Sequence, residues 1–352
     1  MTSDIESPWE TIVVGAGPAG LTAALYLARY RRRVLVLHDG TARALQIPNT
    51  HNAPGFDEGI AGPDLIARMS RHATTFGAEI EQAKVKTAVR AEDLFCLTDG
   101  GVRSWRGRSL ILATGLRLNQ IPLPPDLHQA AIDAGVLRYC PICDGFEHID
   151  TRIGVIGCDT QGAAEALFLR RYSSDVTLIP KSHADLTLAE RHQLQDADIS
   201  VIRSPARAYT LGDGEMLVDT EAGARLVFDV IYPALGSHPH TELAEALGIK
   251  PDANGCLPAD TPFETIVPGL YSAGDVVAGL DRSTSRSRMG PSPPRRRITG
   301  CVTKTVKHLE RSGMRRSALL FLVRNSAIYP HKHERECHWL APIRSSTSFS
   351  LS

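Results

Sequence analysis

The stretch Thr11-Ile-Val-Val-Gly-Ala-Gly-Pro-Ala-Gly20 decides the fold of this chain of 352 residues. Its β-branched first residues predict a buried strand that ends at Gly15. Residues 21–30, with Ala and Leu at helical spacing, predict a helix directly after the last glycine. A second strand is predicted at residues 34–37. The unit is strand, turn, helix and strand with Gly-x-Gly-x-x-Gly at the turn, a pattern typical of dinucleotide-binding folds.

The glycines of this turn indicate a bound pyrophosphate. They permit a tight turn and close approach of the phosphates, and the N-terminus of the helix offers free N–H groups and a favourable dipole. An acidic residue about 20 residues further on would hold the ribose, and Asp39, one position later than expected, is the candidate. The predicted contacts from the turn itself come from Gly15, Gly17, Pro18, Ala19 and Gly20.

A second unit of the same kind begins at Arg152. Residues 153–156 predict a strand, residues 163–172 a helix and residues 175–179 another strand around the turn Gly157-Cys-Asp-Thr-Gln-Gly162. An aspartate replaces the middle glycine and crowds the pyrophosphate, so an ordinary strand–helix–strand crossover is the alternative to a nicotinamide nucleotide site. The candidate contacts are Gly157, Asp159, Thr160, Gly162 and Lys181. A single lysine is not the arginine cluster that a 2′-phosphate needs, so the sequence does not choose NADPH over NADH.

Between the two units lies the segment Tyr139-Cys-Pro-Ile-Cys-Asp-Gly145. Two thiols separated by two residues can close and reopen a disulfide, and this spacing lowers the pKa of one thiol to roughly 7 or below. Cys140 and Cys143 are therefore predicted to be redox-active, with Asp144 as a proton shuttle. The alternative is half of a zinc site, but zinc needs four ligands and the chain has no second Cys-x-x-Cys, so we expect no metal.

Taken together, these elements resemble the low-molecular-weight thioredoxin reductase family, in the order flavin site, Cys-x-x-Cys and nicotinamide site. Three further stretches within residues 10–280 match the family's flavin site: Asn52-Ala-Pro-Gly-Phe56, Ala113-Thr-Gly115 and Gly269-Leu-Tyr-Ser-Ala-Gly-Asp275. The resemblance implies FAD as a cofactor, with the aspartate of the last stretch bonding the ribityl chain. It adds these contacts to the FAD site: Asn52, Thr114, Gly115, Gly274 and Asp275.

The resemblance also implies an α/β fold of two Rossmann-like dinucleotide-binding domains (the FAD/NAD(P)-binding fold), the second inserted in the first. The FAD-binding domain would comprise residues 1–118 and 231–280, and the NAD(P)-binding domain with the cysteine pair residues 119–230. In this family the inserted domain swings, so that either the disulfide or the nicotinamide faces the flavin. A hinge of this kind alternates which group the active centre meets.

The activity implied by the resemblance is a disulfide reductase. Hydride passes from NADPH or NADH to FAD, and electrons then pass to the Cys140–Cys143 disulfide and on to a thioredoxin-like protein or a small-molecule disulfide. By analogy Cys143 faces the flavin and Cys140 attacks the substrate. The family's usual His-Arg-Arg is replaced by Ile179-Pro-Lys-Ser182, and Pro-Ile replaces Ala-Thr between the cysteines. The chain is therefore expected in a divergent branch of the family, and the resemblance implies a homodimer.

Two alternatives stay open at this stage. One is a flavin-dependent dithiol oxidase that passes electrons to oxygen. The other is not an enzyme but a damaged or sensing flavoprotein with impaired FAD binding. Composition excludes a disordered or membrane-spanning chain, since 43% of residues are hydrophobic, 22% are charged and no apolar run approaches the roughly 20 residues of a membrane helix. No apolar signal core begins the sequence, which favours the cytoplasm.

The C-terminal part departs from the rest in charge. The chain is neutral overall, yet residues 281–352 hold 15 Lys and Arg against 4 Asp and Glu. A basic tail can bind nucleic acid, but a disordered or frameshifted tail is the interpretation we favour, and a nucleic-acid partner is not expected. In the family, an Ala-rich helix follows the Gly-Asp motif. A frameshift would make the GC-rich codons for these alanines encode Arg, Ser and Pro instead, which explains the change in charge.

Overall fold

The computed structural model describes residues 7–258 and 265–277. Its strands are β1 Trp9–Val14, β2 Val34–His38, β3 Glu79–Gln82, β4 Thr87–Ala91, β5 Leu94–Thr98, β6 Ser104–Leu112, β7 Leu116–Leu118, β8 Ile153–Ile156, β9 Val176–Ile179, β10 Ser200–Val201, β11 Ala206–Leu211, β12 Met216–Thr220, β13 Arg225–Phe228, β14 Val230–Pro233, β15 Ser237–Pro239 and β16 Leu270–Ser272. Its helices are α1 Pro18–Arg29, α2 Gly62–Thr75, α3 Pro125–Asp133, α4 Pro141–Asp144, α5 Thr160–Leu169, α6 Leu188–Asp196 and α7 Glu242–Ala246. Short 3-10 segments lie at Arg43–Gln46, Gly145–His148 and Gly274–Val276. The predicted tail and its frameshift, at residues 281–352, lie outside the described residues.

The first sheet has the order β3-β2-β1-β6-β5-β4, with β16 also paired to β6. Strands β1, β2, β3, β6 and β16 are parallel, and the antiparallel pair β5 and β4 continues from the first half of β6. Because side chains alternate along a strand, Ile12 and Val14 pack on one face while Val13 packs on the other, against Leu21 of α1. The carboxyl ends of the parallel strands meet at the turn between β1 and α1.

The second sheet is parallel throughout, in the order β10-β9-β8-β14. Every residue of β8, β9 and β14 is buried, as expected where a parallel sheet is covered on both faces. Helix α5 packs on this sheet through buried alanines and leucines, and a three-stranded antiparallel sheet, β11-β12-β13, lies on the other side. The α/β fold class predicted from the sequence, with one dinucleotide-type unit inserted in another, is confirmed.

The two sheets are joined by a two-stranded antiparallel ribbon of β7 and β15. The chain leaves the first sheet through β7, builds the second sheet, and returns through β15 before β16 completes the first. Strand β14 belongs to the second sheet, which therefore runs three residues beyond the predicted boundary at residue 230. The predicted boundaries themselves stay predictions. No helix in residues 7–258 and 265–277 has the length and apolarity to cross a membrane.

Both helices that follow a glycine turn begin earlier than the hydrophobic pattern predicted. Helix α1 begins at Pro18 because Gly17 is the extended N-cap and proline suits the first helical position. Helix α5 begins at Thr160 because the side chain of Asp159 caps it. Apolar periodicity detects the packed middle of such a helix, whereas caps set its first turn.

Candidate active site

The turn between β1 and α1 is shaped by two glycines that have no room for a side chain. Gly15 has φ +113°, and a Cβ there would lie 2.1 Å from the carbonyl oxygen of Ala113. A Cβ on Gly20 would lie 1.9 Å from the carbonyl oxygen of Gly15. A Cβ on Gly17, in contrast, would meet nothing within 4 Å. The middle glycine therefore faces open space at an uncapped helix N-terminus, which fits the pyrophosphate of a dinucleotide.

This open space is part of one cavity of about 1210 Å³. It is larger than the roughly 300–1,000 Å³ of a usual small-molecule pocket, as an extended dinucleotide requires. The cavity reaches from the β1–α1 turn to the cysteine pair. Its lining includes Gly15, Gly17, Pro18, Ala19, Asp39, Asn52, Thr114, Gly115, Gly274 and Asp275, together with Cys140, Cys143 and Asp144. Of the residues predicted for the FAD site, only Gly20 does not line the cavity.

Asp39 stands at the end of β2 beside the cavity. Burial raises the pKa of its carboxyl, but the hydroxyl and backbone N–H of Thr41 donate to it at 2.6 and 3.1 Å and bring the pKa below its usual value. Lys84 lies 4.0 Å from its other oxygen. The carboxylate is thus held ionised, which suits an acceptor for ribose hydroxyls.

Asp275 lines the same cavity and comes from a segment that is distant in sequence. Its carboxylate forms an ion pair with Arg43 at 2.8 Å across 232 positions of sequence. Gly274 before it has φ +78° and lies against Ala19, so the motif packs on the first turn of α1. Arg43 was not predicted, because no local pattern marks an arginine whose partner lies in a distant motif.

The cysteine pair forms a disulfide at the start of the short helix α4, with Cα atoms 5.2 Å apart. Both cysteines are half-buried, and both line the cavity. Asn52, predicted as a flavin contact, donates from its side-chain amide to the carbonyl oxygen of Cys143 at 3.2 Å. The neighbouring His51 contacts Glu147 at 3.1 Å. The loop after β2 therefore holds the redox segment against the cavity.

Asp144 follows Cys143 directly and has two partners. The hydroxyl of Tyr232 donates to its Oδ1 at 2.9 Å, and Nε of Arg138 lies 3.5 Å from its Oδ2. Burial raises the pKa of Asp144 to about 7, although both partners favour the ionised form. A carboxyl that titrates near neutral pH can release and accept protons under working conditions. This is the chemistry that the opening of a neighbouring disulfide requires.

The second glycine turn reproduces the backbone of the first. Gly157 has φ +127°, and a Cβ there would lie 2.5 Å from the carbonyl oxygen of Ala234. A Cβ on Gly162 would lie 1.7 Å from the carbonyl oxygen of Gly157. The middle position differs, since the Asp159 carboxylate accepts from the N–H of Gly162 at 2.9 Å. A nucleotide can be held here by the outer glycines and by Thr160, but its phosphates meet a carboxylate at the helix N-terminus.

The residues predicted for the nicotinamide nucleotide do not line the cavity. Gly157, Asp159, Thr160 and Gly162 form the turn at the carboxyl end of β8, and Lys181 is exposed after β9. This turn and the disulfide lie in the same part of the chain, between the two strands of the β7–β15 ribbon. Among the described residues no cluster of His, Cys, Asp and Glu is arranged to hold a metal ion.

The fold and the cavity define a dinucleotide-dependent oxidoreductase with a redox-active disulfide. The sequence pattern of the family described as "Pyridine nucleotide-disulphide oxidoreductase" matches residues 9–296. The chain is 32% identical to thioredoxin reductase of Streptomyces coelicolor over 279 residues, which are 76% of this chain and 85% of the relative. It is 29% identical to thioredoxin reductase of Bacillus subtilis over 283 residues, 77% of this chain and 87% of the relative.

Solved structures show the same relation. The crystal structure of HlmI superposes with a TM-score of 0.71 at 26% identity, covering 92% of this chain and 93% of that chain. Thioredoxin reductase from Streptococcus pyogenes has the same fold, with a TM-score of 0.71 at 24% identity, covering 86% of this chain and 98% of that chain. The chain belongs to the pyridine nucleotide-disulphide oxidoreductase family, among relatives of the low-molecular-weight thioredoxin reductases. It is an FAD-dependent NAD(P)H:disulfide oxidoreductase, as the sequence predicted.

Proposed function

We propose that this enzyme reduces the disulfide of a thioredoxin-like protein or of a small molecule through Cys140 and Cys143. The observation that carries the proposal is the shared cavity, in which the disulfide opens into the same space as the first glycine turn. Thioredoxin reductases are among the relatives of this chain. Bound FAD supplies the electron pair in this scheme, and NAD(P)H supplies the hydride that renews it.

The residues of the chain have distinct tasks in this proposal. Gly15, Gly17, Pro18, Ala19 and Gly20 bind the pyrophosphate of FAD, Asp39 the ribose, and Asn52, Thr114, Gly115, Gly274 and Asp275 the remainder. Cys143 receives electrons on the cavity side and Cys140 attacks the substrate disulfide. When the S–S bond breaks, two electrons enter and the two sulfurs take up two protons. Asp144, adjacent to Cys143, delivers one of them and the solvent the other.

We further propose that the inserted domain, predicted as residues 119–230 and including the whole of β14 in the structure, moves as a unit about the β7–β15 ribbon. The disulfide lines the cavity in this structure, so a substrate disulfide reaches Cys140 only after the segment moves away. The contacts that must open are modest: the pair of His51 with Glu147, and the bond from Asn52 to the carbonyl of Cys143. Polar contacts of this kind each contribute about 1 kcal/mol, which suits a reversible motion.

A dithiol oxidase is the second candidate, and Asp159 is the observation that favours it. Its carboxylate accepts a hydrogen bond from the N–H of Gly162, a group to which a nucleotide phosphate would otherwise bind. An oxidase would take electrons from a substrate dithiol through the same cysteines and pass them to oxygen, without NAD(P)H. Peroxide formed from a dithiol in the absence of nicotinamide nucleotide would favour this function over the reductase.

The first experiment is an anaerobic absorbance spectrum of the purified protein, before and after one equivalent each of NADPH and NADH. A yellow protein that one nucleotide bleaches supports the reductase and identifies the donor, and disulfide substrates can then be compared by nucleotide consumption. A yellow protein that neither nucleotide bleaches contradicts the reductase. A colourless protein favours impaired FAD binding, and resequencing of the gene after the codon for Leu280 then tests the frameshift.

We also propose that the enzyme acts in the cytoplasm as a homodimer, without a membrane or nucleic-acid partner. The proposal follows the similarity of the chain to thioredoxin reductases. Light scattering of the FAD-loaded protein measures the mass, and a monomer would contradict the dimer. Salt-sensitive DNA binding that is lost on truncation after Leu280 would contradict the proposal that the enzyme has no nucleic-acid partner.

A further inference from the structure

Tyr232 is a buried tyrosine whose hydroxyl is aimed at the redox segment. It lies on β14, its side chain is fully buried, and its ring packs in the core of the second sheet. Its hydroxyl donates to Oδ1 of Asp144 at 2.9 Å, across 88 positions of sequence. A buried tyrosine hydroxyl needs a hydrogen-bond partner, and here that partner is the carboxyl group next to Cys143.

The groups around the Asp144 carboxyl come from three segments of the chain. Arg138 precedes the cysteine pair and faces Oδ2, while Glu147 lies in the 3-10 segment that follows and disfavours the carboxylate by its like charge. His148 lies edge-on to the ring of Tyr232, with ring centroids 6.1 Å apart, and burial together with Arg138 lowers its pKa. Tyr232 makes the shortest polar contact to the carboxyl, and it is held on β14, a fully buried strand at the end of the second sheet.

We propose that Tyr232 is a positioning residue for disulfide reduction, because its hydroxyl fixes the Asp144 carboxyl beside Cys143 and favours the ionised form of that carboxyl. The inference rests on the proposed role of Asp144 as the proton donor. When the disulfide opens, the proton leaves Asp144 for a sulfur, and the resulting carboxylate is the form that accepts most strongly from the tyrosine. When the dithiol is oxidised again, the proton returns.

The sign of the effect follows from this arrangement. The hydrogen bond from Tyr232 lowers the pKa of Asp144 against the larger opposite effect of burial. In Tyr232→Phe the carboxylate loses a donor, so the pKa of Asp144 rises. We expect the pH midpoint of Cys140–Cys143 reduction to move in the alkaline direction by about one pH unit, the order expected for one hydrogen bond to a charged group.

The experiment measures the rate of dithiol formation against pH in the FAD-loaded enzyme by anaerobic stopped flow. Infrared difference spectra of the carboxyl band, assigned by its loss in Asp144→Asn, give the Asp144 midpoint independently of activity. Tyr209→Phe is the matched control, since Tyr209 is another tyrosine of the same domain, on strand β11, and is not among the groups that act on the Asp144 carboxyl. Tyr232→Phe should shift both midpoints, and Tyr209→Phe neither.

The outcomes separate this inference from the proposed function. If Asp144→Asn abolishes the pH dependence but Tyr232→Phe leaves both midpoints in place, the role of Tyr232 is overturned alone. If Asp144→Asn leaves the pH profile unchanged, the proton-donor role of Asp144 fails, and this inference with it. Should Tyr232→Phe fold poorly, 3-fluorotyrosine placed at position 232 keeps the ring and strengthens the donor. It should move the midpoints in the acid direction, and an alkaline or absent shift would refute the proposal.

Discussion

Replacement of Asp159 by glycine should tighten the binding of the nicotinamide nucleotide. The carboxylate accepts from the N–H of Gly162 at the start of α5, where the phosphates of a dinucleotide would bind. Asp159→Gly removes the negative charge, frees the N–H group and restores the pattern Gly-x-Gly-x-x-Gly. Asp159→Asn removes only the charge and keeps a side chain that can cap the helix, so it separates the two effects.

The magnitude follows from three contributions. Two unit charges about 4 Å apart interact by about 4 kcal/mol near a protein surface, but Asp159 is exposed, and solvent reduces this repulsion to about 1 kcal/mol. The freed N–H group adds the favourable interaction of an anion with a helix N-terminus, about 0.3–1 kcal/mol. A glycine cap costs a few tenths of a kcal/mol in helix stability. The net gain of about 1–2 kcal/mol corresponds to roughly 5- to 30-fold tighter binding.

The assay is calorimetric titration of the FAD-loaded protein with NADP⁺ and with NAD⁺, at low and at high salt. Asp159→Gly should bind the nucleotides most tightly, and Asp159→Asn should bind them about fivefold more tightly than the wild type. The differences in affinity should shrink as salt screens the charge. Asp213→Asn, in the exposed turn between β11 and β12, controls for net charge. If both Asp159 variants bind within twofold of the wild type, the carboxylate does not limit nucleotide binding and the reasoning is refuted.

Four further predictions concern the two glycines of the first turn, the cysteines and the interdomain contact. Gly17→Ala should keep the fold, since its Cβ meets nothing within 4 Å, but should weaken FAD binding in a fluorescence titration at least tenfold. Gly20→Ala should destabilise the protein by about 3 kcal/mol in urea unfolding, because its Cβ would overlap the backbone. Cys140→Ser should leave a thiolate beside the flavin and a long-wavelength charge-transfer band, whereas Cys143→Ser should show none. The reverse assignment of the band would exchange their proposed roles. Glu147→Gln should weaken the contact with the loop after β2 and speed the reaction of the dithiol with an external disulfide by up to about fivefold; a slower reaction would contradict a restraining contact.

The local motifs were predictable from the sequence because their requirements are local. Gly15 and Gly20 are needed by the backbone of one turn, and the pattern of strand, turn and helix around them is complete within thirty residues of chain. The cysteine spacing likewise identifies the redox pair without tertiary information. That the middle aspartate of the second turn crowds a phosphate stays a prediction, and its capping of α5 became visible only in the structure.

The contacts that join distant segments could not be predicted. Arg43 meets Asp275 across 232 positions and Tyr232 meets Asp144 across 88, and neither arginine nor tyrosine belongs to a motif. In the sequence Tyr232 is one residue of the short apolar run Val230-Ile-Tyr-Pro233, which belongs to none of the recognised motifs. Its hydroxyl gains a function because the parallel pairing of β14 with β8 brings that strand beneath the cysteine segment. Such a role depends on sheet register, which a single sequence does not specify.

The contacts of the redox segment fall into two groups with different consequences for the proposed motion. Asn52 and His51 belong to the loop after β2, so their bonds to Cys143 and Glu147 must break when the segment leaves the cavity. Arg138 and Tyr232 belong to the same chain unit as Asp144, with Tyr232 on the second sheet, so their contacts travel with it. The carboxyl therefore keeps these two partners in both positions. One group can then supply the proton when the disulfide opens inside the cavity and recover it when Cys140 reacts outside, which places the control of proton transfer in the moving unit itself.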